Sequence, residues 1–274
     1  MSDMEVPHEG PSEIKGNETQ SQYPSVCSIL DIASSKKLKF EQTVTNIGGV
    51  IDLVTPDNDT RVRNLKKNCA YRIIDLYPSA KNGMMIQCES NIERKFVHLL
   101  EFHPGVIAFK EQPCIIKWVD RDGYDHSHIP DFRIEFRNGN ILIVEIKPDK
   151  ALNDSDLKNR TEILSYGLSK KFGYQYLVIM ESQLDQIALL NADKIRRFPN
   201  EKIPSFEYEV ARRIFEKSLT PLSMDGIQSM QVMPVLKRFS HTVKILIRRG
   251  DVIFDMSQPF NEKTILKWNE SLVK

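Results

Sequence analysis

Two carboxylates and an amine occur close together where the sequence predicts a β-hairpin. Asp131 follows Pro130, and the segment Glu145-Ile146-Lys147 ends a later apolar run. Side chains two residues apart in a strand lie on one face, so Glu145 and Lys147 share a face of the sheet. Charged groups on a buried strand are costly unless they are paired or bind a metal ion. These residues are therefore candidates for metal-assisted chemistry.

The hairpin register decides whether Asp131 joins them. Residues 132–136 alternate apolar and charged, and residues 141–146 are nearly all apolar. We predict a three-residue loop, 138–140, because it opposes one apolar face with the other and sets Asp131 opposite Lys147 and Arg133 opposite Glu145. A compensating bulge would serve equally well, whereas a two-residue turn would point Asp131 and Glu145 to opposite faces. The alternative is a charged cross-strand cluster on a solvated face.

A third carboxylate lies on a predicted helix over residues 90–102. Ile92, Phe96, Leu99 and Leu100 recur there at helical spacing. Glu93 has two interpretations that exclude each other in one conformation. It could close a capping box with Ser90, or it could be the third acid of a metal site. The apolar stripe beside Glu93 favours the metal site.

Oxygen atoms from Glu93, Asp131 and Glu145, with the Ile146 carbonyl, suit a hard octahedral cation. The predicted metal ion is Mg²⁺, for which Mn²⁺ can substitute. Such an ion activates water and stabilises the attacking and leaving oxygens of a phosphodiester. Lys147 can orient that water or neutralise developing phosphate charge. This combination predicts hydrolysis of nucleic acid.

The residues around these acids resemble the TnsA family, within the restriction-endonuclease-like nuclease superfamily. The similar segments run in order through the middle of the chain and are weak in its C-terminal third; they are Tyr71-Arg72, residues 77–81, 88–93, 99–102, 111–113, 129–132 and 144–148. TnsA is the endonuclease subunit of a heteromeric transposase. This ordered series of similar segments is far more specific to the family than the three carboxylates alone.

The resemblance implies a nuclease core followed by a winged-helix domain. It implies catalytic roles for Glu93, Asp131, Glu145 and Lys147, although some family members carry Gln at the position of Glu145. The implied activity is cleavage of the 5′, non-transferred strands at transposon ends in double-stranded DNA. The implied partners are a DDE-type transposase subunit, which cuts and joins the 3′ ends, and an ATP-dependent regulator.

The chain has 274 residues, of which 27% are charged, and a net charge of +1. No apolar run reaches the roughly 20 residues needed to span a membrane. The four cysteines are isolated, so neither a zinc site nor a disulfide framework is indicated. We expect a cytoplasmic, bacterial protein. Residues 1–23 are polar and acidic and are expected to be a disordered tail.

The expected fold is α/β. A restriction-endonuclease-like mixed sheet flanked by helices is predicted over residues 24–198, and a small winged-helix-like domain over 199–274. The core is predicted to run as a helix (90–102), a strand (112–119), a turn (120–127), the hairpin, a helix (155–172), a parallel strand (174–180) and a helix (184–198). His126 and His128, which precede Pro130, are expected in a solvated loop before the hairpin.

The C-terminal region carries the basic surplus, with 15 Lys or Arg against 11 Asp or Glu over residues 183–274. A helix beginning near Met233 is the candidate recognition helix. Its candidate DNA-binding residues are Lys237, Arg238, His241, Lys244 and Arg248, four of which recur on one helical face. That face could equally bind an acidic partner protein. For the whole chain, the alternatives are a restriction or repair nuclease and a non-catalytic scaffold.

Overall fold

The structure, a computed structural model, describes residues 24–35, 51–56, 61–62, 75–120, 122–230 and 238–270. The helices are α1 (Val26–Ser35), α2 (Asn91–Phe102), α3 (Ser155–Phe172), α4 (Gln186–Arg196), α5 (Ser205–Lys217), α6 (Met224–Ser229) and α7 (Phe239–Arg249). The strands are β1 (Asp52–Val54), β2 (Asp75–Ser79), β3 (Met84–Cys88), β4 (Val106–Glu111), β5 (Ile115–Val119), β6 (Asp125–His128), β7 (Phe132–Phe136), β8 (Ile141–Lys147), β9 (Gln175–Met180), β10 (Leu222–Ser223), β11 (Val252–Ile253) and β12 (Ile265–Trp268). The predicted acidic tail, 1–23, and Tyr71-Arg72 lie outside the described residues.

A mixed four-stranded sheet of order β4-β7-β8-β9 forms the centre of the nuclease-like region. The first three strands pair antiparallel, and β9 runs parallel to β8. A parallel neighbour requires a crossover connection, which α3 supplies between β8 and β9. The chain thus has the predicted α/β class, compatible with a restriction-endonuclease-like fold.

The two faces of the sheet bury different apolar clusters. Leu142, Val144 and Ile146 of β8 share one cluster with Phe96, Val97 and Leu100 of α2. Ile143 of the same strand faces Leu164 and Leu168 of α3 in a second cluster. Because β8 is covered on both faces, it reads as a continuous apolar run rather than an alternating one. Glu145 is the exception in that run, and it lies on the α3 face.

The predicted hairpin register is wrong by two residues. Phe132 pairs with Val144 and Ile134 with Leu142, and the Phe136 N–H donates to the Asn140 carbonyl at 3.0 Å. The loop is 137–139, because Gly139 takes a positive φ of 84° that closes the turn one residue earlier.

A shift of two residues preserves the faces. Asp131 immediately precedes β7, and the observed register does not set it opposite Lys147 as predicted; its carboxylate instead accepts the N–H of Ile146, between Glu145 and Lys147. Arg133 pairs with Ile143, not with Glu145. The apolar pattern alone cannot distinguish registers that differ by two, since both bury the same side chains.

The predicted turn over 120–127 is partly a strand. β6 pairs antiparallel with β5, and β5 pairs with β1 in a separate three-stranded sheet. His126 stacks on Trp118, and His128 pairs with Ile116. The polar residues of β6 form a strand because β5 supplies the backbone partners and the ring contact. His128 is consequently fixed at the end of a strand instead of in a solvated loop.

The C-terminal region packs around its own apolar cluster, which includes Ile227, Val243, Leu246 and Leu266. Its order is α5, β10, α6, α7, β11, β12, with β12 between β10 and β11. The winged-helix-like arrangement of this region stays a prediction. Residues 231–237 lie outside the description, and α7 begins at Phe239 instead of near Met233. Among the described helices, none combines the length and the apolar composition needed to cross a membrane.

Candidate active site

Glu145 is the most enclosed charged side chain of the candidate site. It is 1% exposed and accepts contacts on both carboxylate oxygens. Lys147 Nζ lies 2.6 Å and an Arg160 terminal nitrogen 2.9 Å from Oε1. The Tyr176 hydroxyl donates to Oε2 at 2.6 Å, and His128 Nε2 lies 2.7 Å from the same oxygen. We call Glu145 and these four contacting side chains the Glu145 cluster.

The Glu145 cluster keeps its carboxylate ionised. Burial disfavours the charged form, but the contacts of His128, Lys147 and Tyr176 outweigh it and hold the pKa of Glu145 well below its usual range. The same arrangement acts in the opposite direction on Tyr176, since burial and the adjacent carboxylate raise the pKa of its hydroxyl. Glu145 therefore accepts, and Tyr176 donates, throughout the physiological pH range.

Asp131 is the second carboxylate on this side of the sheet. Its Oδ2 accepts the Ile146 N–H at 2.6 Å, and its backbone carbonyl accepts the Gln112 N–H at 2.8 Å. Burial, with the nearby carboxylates of Glu93 and Glu145, raises the pKa of Asp131 to about 7, although the Ile146 N–H and Lys147 oppose the rise. Three acids thus meet closely enough for their charges to repel, which a bound cation would relieve.

Glu93 caps its own helix. Its Oε2 accepts the Glu89 N–H at 2.8 Å, and its Oε1 accepts the Ser90 hydroxyl at 2.9 Å, while Ser90 Oγ accepts the Glu93 N–H at 3.1 Å. The amide it satisfies is that of Glu89, one residue before the one that a capping box predicts. Burial raises the pKa of Glu93.

In this structure Glu93 takes the capping interpretation, not the metal-site interpretation that its apolar surroundings favoured. The side chain caps the start of α2, yet its charge still acts on Asp131. Glu93 is placed near the site, with both of its oxygens already accepting hydrogen bonds.

Gln112 holds Asp131 from the other side. Its φ of 40° is the one positive value recorded for a residue other than glycine in the described part of the chain. Such a backbone conformation costs of order 1–3 kcal/mol and persists only where surrounding contacts enforce it. Here the Gln112 N–H donates to Asp131, its carbonyl accepts from Val62, and its side chain donates to Glu89.

The helix that carries Glu93 is fixed at its far end by two of the family-like segments. The Glu101 carboxylate accepts the Ser79 hydroxyl at 2.7 Å and the backbone N–H groups of Ala80 and Lys81. Lys81 Nζ donates to the carbonyls of Leu100 and His103, at 2.8 and 2.7 Å, and burial lowers the pKa of its amine to about 7. Residues 77–81 and 99–102 therefore fix the position of α2.

The candidate ligand atoms are of the type that a hard cation prefers, but they are not arranged around a common point. The oxygens of Glu93, Asp131 and Glu145 are the ligands that Mg²⁺ prefers, and their repulsion favours a positive ion. Within the described ranges, however, no three acidic, histidine or cysteine side chains converge as ligands. Glu145 and Glu93 are held by protein donors instead, and one oxygen of Asp131 accepts the Ile146 N–H. Metal ligation requires some of these contacts to be exchanged.

Three members of the Glu145 cluster were not predicted from the sequence. Arg160 had a recognisable signal, because it interrupts the apolar stripe of α3 that Leu157, Leu164 and Leu168 form. Tyr176 and His128 carry no comparable signal. Each reaches Glu145 through a separate strand pairing that spacing alone does not give.

The predicted basic face of α7 is largely engaged within the chain. Arg248 donates to the carbonyls of Arg196 and Phe198, the latter at 2.7 Å. His241 contacts the Glu201 carboxylate, which also lies 3.7 Å from Arg238. Lys244 is half-buried on the same helix, and Lys237 lies outside the described residues. The face is thus turned toward the segment that follows α4.

Comparison with known families agrees with the site. Residues 103–181 match the family described as TnsA-like endonuclease N terminal. The matched segment contains Asp131, Glu145 and Lys147, but begins after Glu93. No curated protein matches the chain. The match covers the hairpin and the crossover helix that build the acidic edge, so this part of the chain is similar to a TnsA-like endonuclease domain, which supports a TnsA-family assignment and a nuclease role in transposition.

Proposed function

We propose that the chain is a Mg²⁺-dependent DNA endonuclease that cuts the 5′ strands at transposon ends. The observation that carries the proposal is the meeting of Asp131, Glu145 and Lys147 at one edge of the sheet, with a third acid, Glu93, close enough to raise the pKa of Asp131. Carboxylates that repel one another favour a bound cation, and the amine of Lys147 beside them favours a phosphate group. A DDE-type transposase subunit and an ATP-dependent regulator are the proposed partners.

Each residue has a proposed role in the reaction. Glu93, Asp131 and Glu145, with the Ile146 carbonyl, hold Mg²⁺, or Mn²⁺ in its place. The bound ion supplies an activated water and stabilises the charge that develops on the phosphate. Lys147 orients the water, and its contact with Glu145 at 2.6 Å keeps the amine at the site before DNA arrives.

The C-terminal region is proposed to bind DNA as a winged-helix-like domain. Arg238, His241 and Lys244 are its described candidate contacts, with Lys237 and Arg248. His241 and Arg238 lie against Glu201, so DNA would have to replace that carboxylate. An acidic surface of the transposase would compete for the same residues.

Cleavage of plasmid DNA by the full-length chain tests the nuclease proposal. We expect cleavage in Mg²⁺ that disappears in EDTA, in Lys147→Ala and in Glu145→Gln. Glutamine is the better replacement for Glu145, because alanine would leave Lys147, Arg160 and Tyr176 without their acceptor and destabilise the fold by about 3–5 kcal/mol. Wild-type cleavage in excess EDTA would sink the proposal. Cleavage confined to transposon ends with transposase present separates the proposed enzyme from a restriction or repair nuclease.

A non-catalytic scaffold is the second candidate. The Glu145 cluster favours it, because four side chains already contact a carboxylate that a metal ion would need. A scaffold would recruit the transposase to DNA without cutting. It predicts no strand cleavage in Mg²⁺ or Mn²⁺, and transposition that is unaffected by Glu145→Gln.

A further inference from the structure

The contact between Arg160 and Glu145 exceeds what the carboxylate needs. Arg160 lies on α3 and reaches Glu145 Oε1 at 2.9 Å, the same oxygen that Lys147 contacts at 2.6 Å. Lys147 already supplies a cation, and Tyr176 supplies a neutral donor to the other oxygen at 2.6 Å. Two positively charged side chains therefore share one oxygen of one buried carboxylate.

The Arg160 guanidinium also has bonding capacity to spare. Its Nε is buried and has no hydrogen-bond partner among the described residues. An arginine presents five donors in a planar fork that matches the oxygens of a carboxylate or phosphate two at a time. Here a terminal nitrogen of Arg160 contacts Glu145, whereas the adjacent Nε donates no hydrogen bond. One of the two donors on that edge of the guanidinium is therefore unused.

Arg160 is accessible from the solvent side of the cluster. Its side chain is 28% exposed and that of Lys147 is 34% exposed, whereas Glu145 between them is 1% exposed. A ligand that approaches the acidic edge would meet the two cations before the carboxylate. A phosphate group has the charge and the oxygen spacing to pair with an arginine in this position.

We propose that Arg160 is a phosphate-binding residue of the candidate active site, held on Glu145 until a DNA backbone enters. The inference rests on the proposed DNA endonuclease function, and it adds a contact between α3 and the phosphate backbone of the DNA. When a backbone phosphate enters, the guanidinium takes the phosphate oxygens as acceptors, and Lys147 and Tyr176 remain to hold Glu145.

The salt dependence of DNA binding tests the proposal without cleavage. The affinity of the full-length chain for a fluorescent DNA duplex is measured in EDTA over a range of salt, because each lost phosphate contact lowers the slope of log affinity against log salt by about one. Arg160→Gln removes the charge but keeps an N–H that can still donate to Glu145. We expect it to lower the slope by about one, while Arg160→Lys preserves the slope.

Lys158→Ala is the matched control, because it removes a positive charge from an exposed position on the same helix. It should leave the slope unchanged. Thermal unfolding of each variant verifies the fold, and Arg160→Met, which also lacks the charge and should lower the slope by about one, gives the readout should the Gln variant not fold. An unchanged slope in Arg160→Gln overturns the proposal, as does a wild-type chain that binds no duplex at low salt.

The outcomes separate this proposal from the one on which it rests. A lower slope in Arg160→Gln, with no Mg²⁺-dependent cleavage by the wild type, would keep Arg160 as a phosphate ligand and reject the nuclease. Mg²⁺-dependent cleavage by the wild type, with an unchanged slope in Arg160→Gln, would keep the nuclease and reject Arg160 as a phosphate ligand.

Discussion

The carboxylate of Asp131 is bonded across the sheet to the main chain of Ile146, with 2.6 Å between Oδ2 and the amide nitrogen. Ile146 stands between Glu145 and Lys147 on β8. The side chain of one candidate catalytic residue is therefore fixed directly to the strand segment that carries the other two. Their relative position depends on a single charge-assisted hydrogen bond as well as on the register of the hairpin.

Asp131→Asn should separate the structural role of Asp131 from its chemical one. The asparagine oxygen can still accept the Ile146 N–H, so the variant should fold, whereas the lost charge should lower cleavage by on the order of 100-fold or more. Plasmid cleavage and thermal unfolding measure the two effects. Asp125→Asn, an exposed acid on β6, is the control and should cleave like the wild type. Full cleavage by Asp131→Asn would remove Asp131 from the catalytic set.

The pKa of Asp131 predicts a pH dependence of stability. Its pKa is raised from an ordinary value near 3.8 to about 7, so the folded state prefers the protonated acid. Stability from this group is complete below the ordinary pKa and is lost as pH rises through about 7. In EDTA, the wild type should lose on the order of 2–4 kcal/mol relative to Asp131→Asn between pH 4 and pH 8.

Chemical denaturation of both proteins at a series of pH values measures this difference. A difference in unfolding free energy that stays constant across the range would show that Asp131 titrates normally. Added Mg²⁺ should reduce the loss at high pH if the ion binds the ionised acids, because a ligand of the folded state stabilises that state.

Ser90 and Glu93 allow the cap of α2 to be tested apart from the acid. Ser90→Ala removes the acceptor for the Glu93 N–H and should cost about 1 kcal/mol, with cleavage largely retained. Glu93→Gln keeps an oxygen for the Glu89 N–H but loses the charge. It should fold nearly as well as the wild type and lose cleavage. If both variants cleave normally, Glu93 is a helix cap and nothing more.

Glu201→Gln should release the basic face of α7. It removes the charge that faces His241 and Arg238, so affinity for a DNA duplex should rise severalfold if this face binds DNA. Glu209→Gln alters an exposed acid on α5 and is the control. Unchanged duplex affinity in Glu201→Gln, with stronger binding to the transposase subunit, would assign the face to a partner protein.

The succession from β7 to α4 and the shared face of Glu145 and Lys147 follow from the sequence, because the period of an element and its apolar face are local properties. The strands β2, β3, β4 and β6 were not predicted, although β4 pairs with β7 in the central sheet. The register does not follow. It depends on the left-handed backbone of Gly139, and the apolar pattern fits two registers equally. The β6 residues form a strand because they pair with β5, and the local sequence pattern does not predict that pairing.

The contacts of Glu145 show the same limit. Lys147 is two residues away and was predictable, whereas His128, Arg160 and Tyr176 reach it from three other elements. Glu93 could be placed on α2, but whether its carboxylate caps the helix depends on the position of the Glu89 amide. That amide belongs to the segment before the helix and is set by tertiary contacts.

The bond from the Glu89 N–H to Glu93 gives the molecule a built-in reporter. If an ion recruits the Glu93 carboxylate, the Glu89 amide loses its acceptor and its exchange with solvent deuterium should accelerate. If the Glu93 carboxylate only caps the helix, the exchange rate of the Glu89 amide should be the same with and without the ion. A backbone hydrogen atom thus records whether the start of α2 takes part in metal binding, even in a preparation that cuts no DNA.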